Sequence, residues 1–185
     1  MSETTKWALA NSLKDLLQTR NLDRITVSDI TDACGVNRMT FYYHFQDIYD
    51  LIDWMLLHDA DRVLGGKKTY ETWQQGFLRI FNACLDNKAF IMNVYHSISH
   101  DKLEEYLYRL TYDLLIGVVN EKSAGINVRE DDKNFIANFY KYAFVGIMLD
   151  WISSGMMESP DRIIDRISTL IYGDITQALN KYKYS

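Results

Sequence analysis

Thr26–Phe45 reads TVSDITDACGVNRMTFYYHF, two short helical pieces divided at Gly35. Thr26 or Ser28 offers a capping hydroxyl for the first piece. Asp29, three residues after Thr26, stands where a capping-box carboxylate reaches back to the helix start. Val27, Ile30 and the Ala33/Cys34 pair recur at three- and four-residue intervals, which on a helix makes one inward stripe. Gly35 ends that helix because it takes the left-handed conformation that side chains resist. Asn37 then caps a second helix that starts at Arg38. Two short helices around a glycine turn are the plan of a helix-turn-helix.

Rotation by about 100° per residue sorts the second helix, about residues 38–45. Phe41, Phe45 and Ile48 lie at i, i+4 and i+7 and form its anchoring face. Met39 and Tyr43 point most directly away from that face, with Thr40 and Tyr42 on either side. An ordinary aromatic core helix would not carry so polar a free face. A major groove of DNA suits it: Arg38 pairs with guanine, Met39 meets a thymine methyl, and Thr40, Tyr42, Tyr43 and His44 bond phosphates. Thr26, Asn37 and Gln46 complete the expected contact set.

The run CGVNRMTFYYHFQDIYDLIDWM, Cys34–Met55, resembles the signature of TetR-family transcriptional regulators, and the match covers about the first 60 residues. Tyr42–Phe45, Asp47, Tyr49–Ile52 and the segment from Phe144 to Trp151 and Gly155 are similar to the subgroup that regulates dihydroxyacetone kinase operons. The resemblance implies an all-helical regulator in two parts. Residues 1–62 would form the DNA-binding domain, and residues 63–185 a helical regulatory and dimerisation domain. The narrower resemblance implies an activator working with a protein co-regulator on genes of dihydroxyacetone metabolism. One position departs from the family: after Phe45 a phosphate-contacting lysine is common, and here Gln46 stands instead. A neutral amide still donates to phosphate, but it releases no counterion.

Composition fits this reading. The chain is 48% hydrophobic and 24% charged, ordinary for a protein with a real core. A single proline and nine glycines favour helix throughout, since strands need more turn residues. Cys34 and Cys84 are far apart inside helical patterns and read as core residues of a reducing cytoplasm. The N-terminus, with Lys6 and Lys14 in an amphipathic pattern, is not a signal peptide. The richest apolar run, Tyr142–Leu149, stops at Asp150, short of the ~20 residues of a membrane span. The chain is therefore expected to be soluble and cytoplasmic.

Net charge is −5, and residues 1–50 set five basic side chains (Lys6, Lys14, Arg20, Arg24, Arg38) against seven acidic ones (Glu3, Asp15, Asp23, Asp29, Asp32, Asp47, Asp50). Nonspecific binding to a polyanion should be weak. Since each phosphate neutralised by a cation adds about 0.9 to the log-log salt slope, a modest slope is expected. A salt titration of operator binding checks it: the slope of a strongly basic repressor would mean a different contact surface.

The remaining pattern is helical. Residues 3–19 form a first helix, capped by Ser2, with Trp7, Ala10, Leu13, Leu16 and Leu17 toward the helix-turn-helix. Lys6 near its start can reach a phosphate. Asp47 opens a long helix to about Leu64, with Leu51, Trp54, Met55 and Leu57/His58 on its apolar side. At ~1.5 Å per residue it spans about 27 Å, a mechanical link. Gly65-Gly66-Lys67-Lys68 breaks the pattern. Helices are then expected over Tyr70 to Asp86, Lys88 to Tyr95, Asp101 to Glu121, Asp132 to Ser154 and Asp161 to Tyr182, with one long polar loop from Ser123 to Asp131.

The last two helices suggest assembly. Ile163, Ile164, Ile167, Leu170, Ile171, Ile175 and Leu179 line one face of the final helix, which Ser159-Pro160 starts. The helix before it is apolar nearly all round, Phe135 to Trp151 included, and such a helix needs neighbours on several sides. A homodimer through these helices is the expectation, with Phe144, Met148, Trp151, Ile163, Ile167, Leu170 and Ile171 at the contact. Twofold symmetry places two reading helices about one DNA turn, ~34 Å, apart, on a near-palindromic double-stranded operator.

Aromatic residues of the body also fit a pocket for a small effector. Trp73, Phe77, Phe81, Tyr108, Tyr112, Phe139 and Tyr142 would line it, and Asp150 would be a polar group in it. The competing classes are weaker. His96 and His100 at i, i+4 have zinc-binding spacing, with Asp101 beside them and Asp59 and Asp61 in an acidic helix. No glutamate base lies between the two histidines, and Ser97 and Ser99 around them read as a helix boundary. No phosphate-cradling loop or nucleophile elbow is present. An enzyme is not expected, nor a metal or cofactor. A helix-turn-helix reused for protein contact alone is the other alternative, and a gel shift separates it.

Overall fold

A computed structural model describes residues 3–64, 72–97, 100–171 and 173–184. The expected cap Ser2, the break at Gly65-Gly66-Lys67-Lys68, the helix start at Tyr70 and the boundary residue Ser99 lie outside the described residues, as do the side chains of Leu57, Asp59 and Asp61. The fold is all-α, with no strand among the described residues. Two compact units form: Met1–Asp59 with Asn87–Leu103, and Ala60–Asp86 with Glu104–Ser185.

The first unit holds α1 (Glu3–Leu16), a single 3₁₀ turn (Leu22–Arg24), α2 (Val27–Cys34), α3 (Arg38–His44), the first part of α4 (Ile48–Leu64) and α6 (Lys88–Tyr95). α1 packs on α2, and α2 on α3. Leu9, Ala10, Leu13 and Leu17 are buried, while Trp7 and Leu16 are half-buried at the edge of that stripe. Trp7 meets Trp54 of α4 edge-on at 4.9 Å, and Trp54 meets Phe45 at 5.9 Å. Apolar contact thus runs from α1 to the end of α3. Lys6 is drawn over the Trp54 ring, 5.6 Å from its centre.

Residues 87–103, expected with the second domain, pack in this unit instead. Asn93 is the physical reason: its carbonyl accepts the Leu22 N–H at 3.1 Å, and its amide donates to the Leu17 carbonyl at 3.4 Å. It satisfies backbone groups that the chain leaves open between α1 and α2. Phe90, Ile91 and Val94 are buried on the same helix. Lys102, at the start of α7 (His100–Lys122), pairs with Asp53 of α4.

The second unit holds α5 (Trp73–Asp86), most of α7, α8 (Glu130–Ser153), α9 (Pro160–Ile171) and α10 (Asp174–Tyr182). α5 packs on α9, and α10 on α8. The sequence predicts one helix from Asp161 to Tyr182. The chain divides it at Gly173, whose φ of 83° is left-handed and interrupts the α-helical hydrogen bonding. α8 closes at Gly155 (φ 79°) and Met156 (φ 59°), where the Met156 N–H returns to the Trp151 carbonyl at 2.8 Å. The Trp151 indole N–H donates to the Glu158 carbonyl at 2.8 Å and fixes the turn into α9. Among the described residues, no helix is long and apolar enough to cross a membrane.

Candidate nucleic-acid interface

Local hydrogen bonds set the two helices of the motif. The Thr26 hydroxyl accepts the Asp29 N–H at 3.2 Å, and the Asp29 carboxylate accepts the Thr26 N–H at 2.8 Å, a complete capping box. The Thr26 hydroxyl proton also goes to Asp29, whose other oxygen accepts from Arg20 at 2.9 Å. These bonds, Thr26 first and Arg20 after, lower the Asp29 carboxyl from its ordinary 3.8 to about 2. A lowered folded value means its contribution is complete above about pH 4 and lost as pH falls through about 2. Urea unfolding of wild type and Asp29→Asn should therefore differ at pH 7 and converge between pH 4 and 2. A difference that stayed constant across that window would remove Asp29 from the cap.

Gly35 ends α2 with φ 71°, and the Val36 N–H closes on the Thr31 carbonyl at 3.0 Å. Asn37 caps α3 by accepting the Thr40 N–H at 2.8 Å. At the start of α4, Asp47 accepts the Asp50 N–H, and the Asp50 carboxylate accepts the Gln46 N–H at 2.9 Å. Three carboxylates of this acidic segment, Asp29, Asp47 and Asp50, are thus spent at helix starts, where the helix dipole favours negative charge. Asp29 is in addition paired with the Arg20 guanidinium, so one carboxylate of the imbalance counted in the sequence is matched by a cation.

That face is open. Phe41 is fully enclosed, and on the same short helix Met39 is 77% and Tyr43 70% exposed. Asn37, Met39, Thr40, Tyr42 and Tyr43 line one shallow groove of about 410 Å³. Arg38 is exposed at the first position of α3, and no carboxylate among the described residues pairs with it. The Thr40 hydroxyl donates to the Asn37 carbonyl oxygen at 3.0 Å, which leaves the Asn37 NH₂ free to donate outward. Gln46 is exposed beyond the end of the helix.

Two expected contacts are placed differently. His44 is half-buried, with Nε2 enclosed and unbonded, its ring between Tyr43 at 5.0 Å and Phe45 at 6.2 Å. At three residues from Phe41 it falls about 60° from the anchoring direction, nearer the core side than the free one. Thr26 is exposed, but its hydroxyl proton and its N–H are both committed to Asp29. Cys34, expected in the core, is half-buried, whereas burial pushes the Cys84 thiol up to about 12.

The residues expected around an effector separate into three places. Trp73, Phe77 and Phe81 are core: Phe77 stacks on Phe144 at 3.9 Å, and Phe81 meets Trp151 at 4.9 Å. Tyr108, Tyr112 and Tyr142 surround the Lys141 ammonium at 4.4–5.8 Å. Phe139 and Asp150 are exposed on α8.

Of the residues expected at a dimer contact, Phe144, Met148, Trp151, Ile163 and Ile167 are buried within their own unit; only Leu170 is open, and Ile171 is half-buried. The open apolar side of α8 is Phe135, Phe139, Tyr142 and Ile147. Phe135, Phe139 and Tyr142, spaced by four and three residues, share one helix face, and Ile147 lies about 80° round from Phe139 at its edge. His96 and His100 do not share a helix, because α6 ends at Tyr95 and α7 begins at His100.

Residues 12–54 match the family described as "Bacterial regulatory proteins, tetR family", and residues 71–173 match "Transcriptional regulator C-terminal region". The chain is similar to the HTH-type dhaKLM operon transcriptional activator DhaS of Lactococcus lactis, 25% identical over 92% of this chain and 90% of that protein. Among solved structures it is similar to dihydroxyacetone kinase operon activator DhaS, with TM-score 0.76, 22% identity and coverage of 99% of this chain and 100% of that one. It is also similar to NalD of Pseudomonas aeruginosa, with TM-score 0.62, 14% identity and coverage of 93% and 96%. With its capped helix-turn-helix and open reading helix, the chain belongs to the TetR family of bacterial regulatory proteins and is a DNA-binding transcriptional regulator.

Proposed function

We propose that this regulator works in the cytoplasm as a homodimer on a near-palindromic operator, each protomer laying α3 in a major groove. The observation that carries this is the two-sidedness of α3, with Phe41 sealed and Met39 and Tyr43 open. Arg38 reads a guanine and Met39 a thymine methyl. Asn37, Thr40, Tyr42, Tyr43 and Gln46 hold phosphates. Thr26 and His44 serve the interface by shaping it, the first as cap of α2 and the second as packing behind Tyr43.

Residues 1–62 carry this contact, and residues 63–185 carry dimerisation and the response to a signal. The uncovered apolar side of α8 supports self-association, since a contiguous exposed apolar patch marks an interaction surface. The signal is a small effector or a protein co-regulator. Similarity to the Lactococcus lactis activator over nearly the whole chain supports genes of dihydroxyacetone metabolism as targets.

A gel shift with DNA upstream of the chain's own gene tests the reading. Wild type should retard it as a dimer. Arg38→Ala should lose roughly 1–3 kcal/mol and relax base preference at one position per half-site, whereas Tyr42→Phe should weaken all sequences about equally. Unchanged selectivity in Arg38→Ala would remove Arg38 from base reading.

A further inference from the structure

Two clefts meet in the first unit. The larger, about 590 Å³, lies between the 3₁₀ turn and the end of α6, with Asn21, Met92 and His96 in its lining. The smaller, about 270 Å³, reaches the end of α3 and the start of α4, with Tyr42, Gln46 and Asp47 in its lining. Leu22, Asp23 and Tyr49 line both, so they form the saddle where one cleft gives way to the other. The larger cleft has the size of a small-molecule site.

The lining is one-sided in charge. Asp23 and Asp47 are its carboxylates, and among the described residues no lysine or arginine lines either cleft; His96, exposed, is the one basic side chain there. Neither the Asp23 carboxylate nor the Tyr49 hydroxyl has a partner among the described residues. Asp47 accepts the Asp50 N–H with one oxygen and keeps the other. Asn93 is already engaged with Leu22, Leu17 and Ala89, so it serves the chain and not a ligand. What remains open is a carboxylate at the saddle, a second one in the smaller cleft, and the rings of Tyr42 and Tyr49. These groups select a cation, since an ammonium donates to carboxylates and is attracted to aromatic faces. An anionic ligand would meet two like charges. Acids placed along two joined clefts suit an elongated molecule that is charged at more than one point.

Resting on the DNA contact proposed above, we infer that this double cleft binds a linear aliphatic amine of the diamine or polyamine class, and that the bound amine strengthens operator binding. One ammonium sits at Asp23 under the Tyr49 hydroxyl, and the chain runs toward Asp47. That end lies beside Tyr42 and Gln46, which hold phosphates. Gln46 brings no charge to its phosphate and Asp47 follows it, so this edge of the interface is acidic when the cleft is empty. A cation held on the two carboxylates cancels that charge where the phosphates arrive.

Calorimetry on the full chain without DNA tests the site, with putrescine and spermidine as probes and butanediol as the uncharged match to putrescine. Both amines should bind and the diol should not. Asp23→Asn should weaken the amines about tenfold or more, as loss of a hydrogen bond to a charged group does. Tyr49→Phe, which keeps the ring and loses the hydroxyl, should weaken them several-fold. Asp32→Asn, on α2 and outside both clefts, should change nothing. Equal binding of the diol, displacement of the amine by equimolar magnesium, or equal weakening by Asp32→Asn would overturn the site. Gel shifts then test the effect on DNA: putrescine should raise the operator affinity of wild type a few-fold and leave Asp23→Asn unmoved, whereas any screening of the DNA itself acts on both alike. Amine binding with no such difference refutes the effect on the operator. A chain that binds the operator and ignores both amines refutes the site alone, and one that binds amines but shifts no DNA refutes the proposed DNA contact instead.

Discussion

Phe41→Ala is expected to abolish operator binding by dissolving the reading helix, although Phe41 itself touches no DNA. α3 has seven residues, far below the ~12–15 at which an isolated helix holds in water, so packing and its cap hold it in place. Phe41 is the fully enclosed side chain on that helix, and it rests against Phe45 at 5.8 Å, which leads through Trp54 to Trp7. Truncating a buried phenylalanine costs about 3–5 kcal/mol, against about 5–15 for a whole domain. The Asn37 cap contributes about 1 kcal/mol and cannot compensate. Thermal melts should show a less stable first unit, hydrogen exchange should show loss of protection in α3, and the gel shift should vanish at wild-type operator concentrations. Met39→Ala, on the open side of the same helix, should leave the melt unchanged. If Phe41→Ala bound the operator as tightly as wild type, α3 would not be held from this side.

Local chemistry makes this part of the molecule legible in the sequence. Thr26 with Asp29, Gly35 and Asn37 act within four residues of themselves, so their spacing alone states the caps and the turn. Phe41 and Phe45 share a face because a helix returns them there, and Met39 and Tyr43 are exposed for the same reason.

Nonlocal features were not legible. His44 is a polar residue on the fringe of the anchoring side, and only its neighbours decide that Nε2 is enclosed. Asn93 gives no sign in the sequence that it will satisfy Leu22 and Leu17 more than seventy residues away, which is why residues 87–103 change units. Gly173 lies inside a strongly amphipathic pattern that continues across it, so periodicity hides the break. On α8 the difficulty is different in kind: apolar residues on every side state that the helix is covered all round, not which side its own chain covers. Phe144 and Met148 go to the chain's own core, and Phe135 and Phe139 remain outside.

Phe139→Asp combined with Phe135→Asp should yield a folded monomer with little affinity for a full operator. Both side chains are 62% exposed in the single chain, so the change removes little from its own core, and surface substitutions usually move stability by no more than about 0.5 kcal/mol. In a dimer the same positions become interior. Each buried phenylalanine contributes about 1.5–3 kcal/mol, and symmetry counts each one twice. The replacement also places four carboxylates where water is excluded, and an unpaired charge there is strongly unfavourable. Two linked heads bind two half-sites with an effective concentration near millimolar, and losing the link forfeits about 10²–10⁴ in affinity. Sedimentation should give the monomer mass, circular dichroism a helical signal like wild type, and the gel shift a loss of at least a hundredfold on the full operator with little change on a half-site. Equal affinity of monomer and wild type for the full operator would mean that one reading helix suffices, and the twofold logic of the site would fail with it.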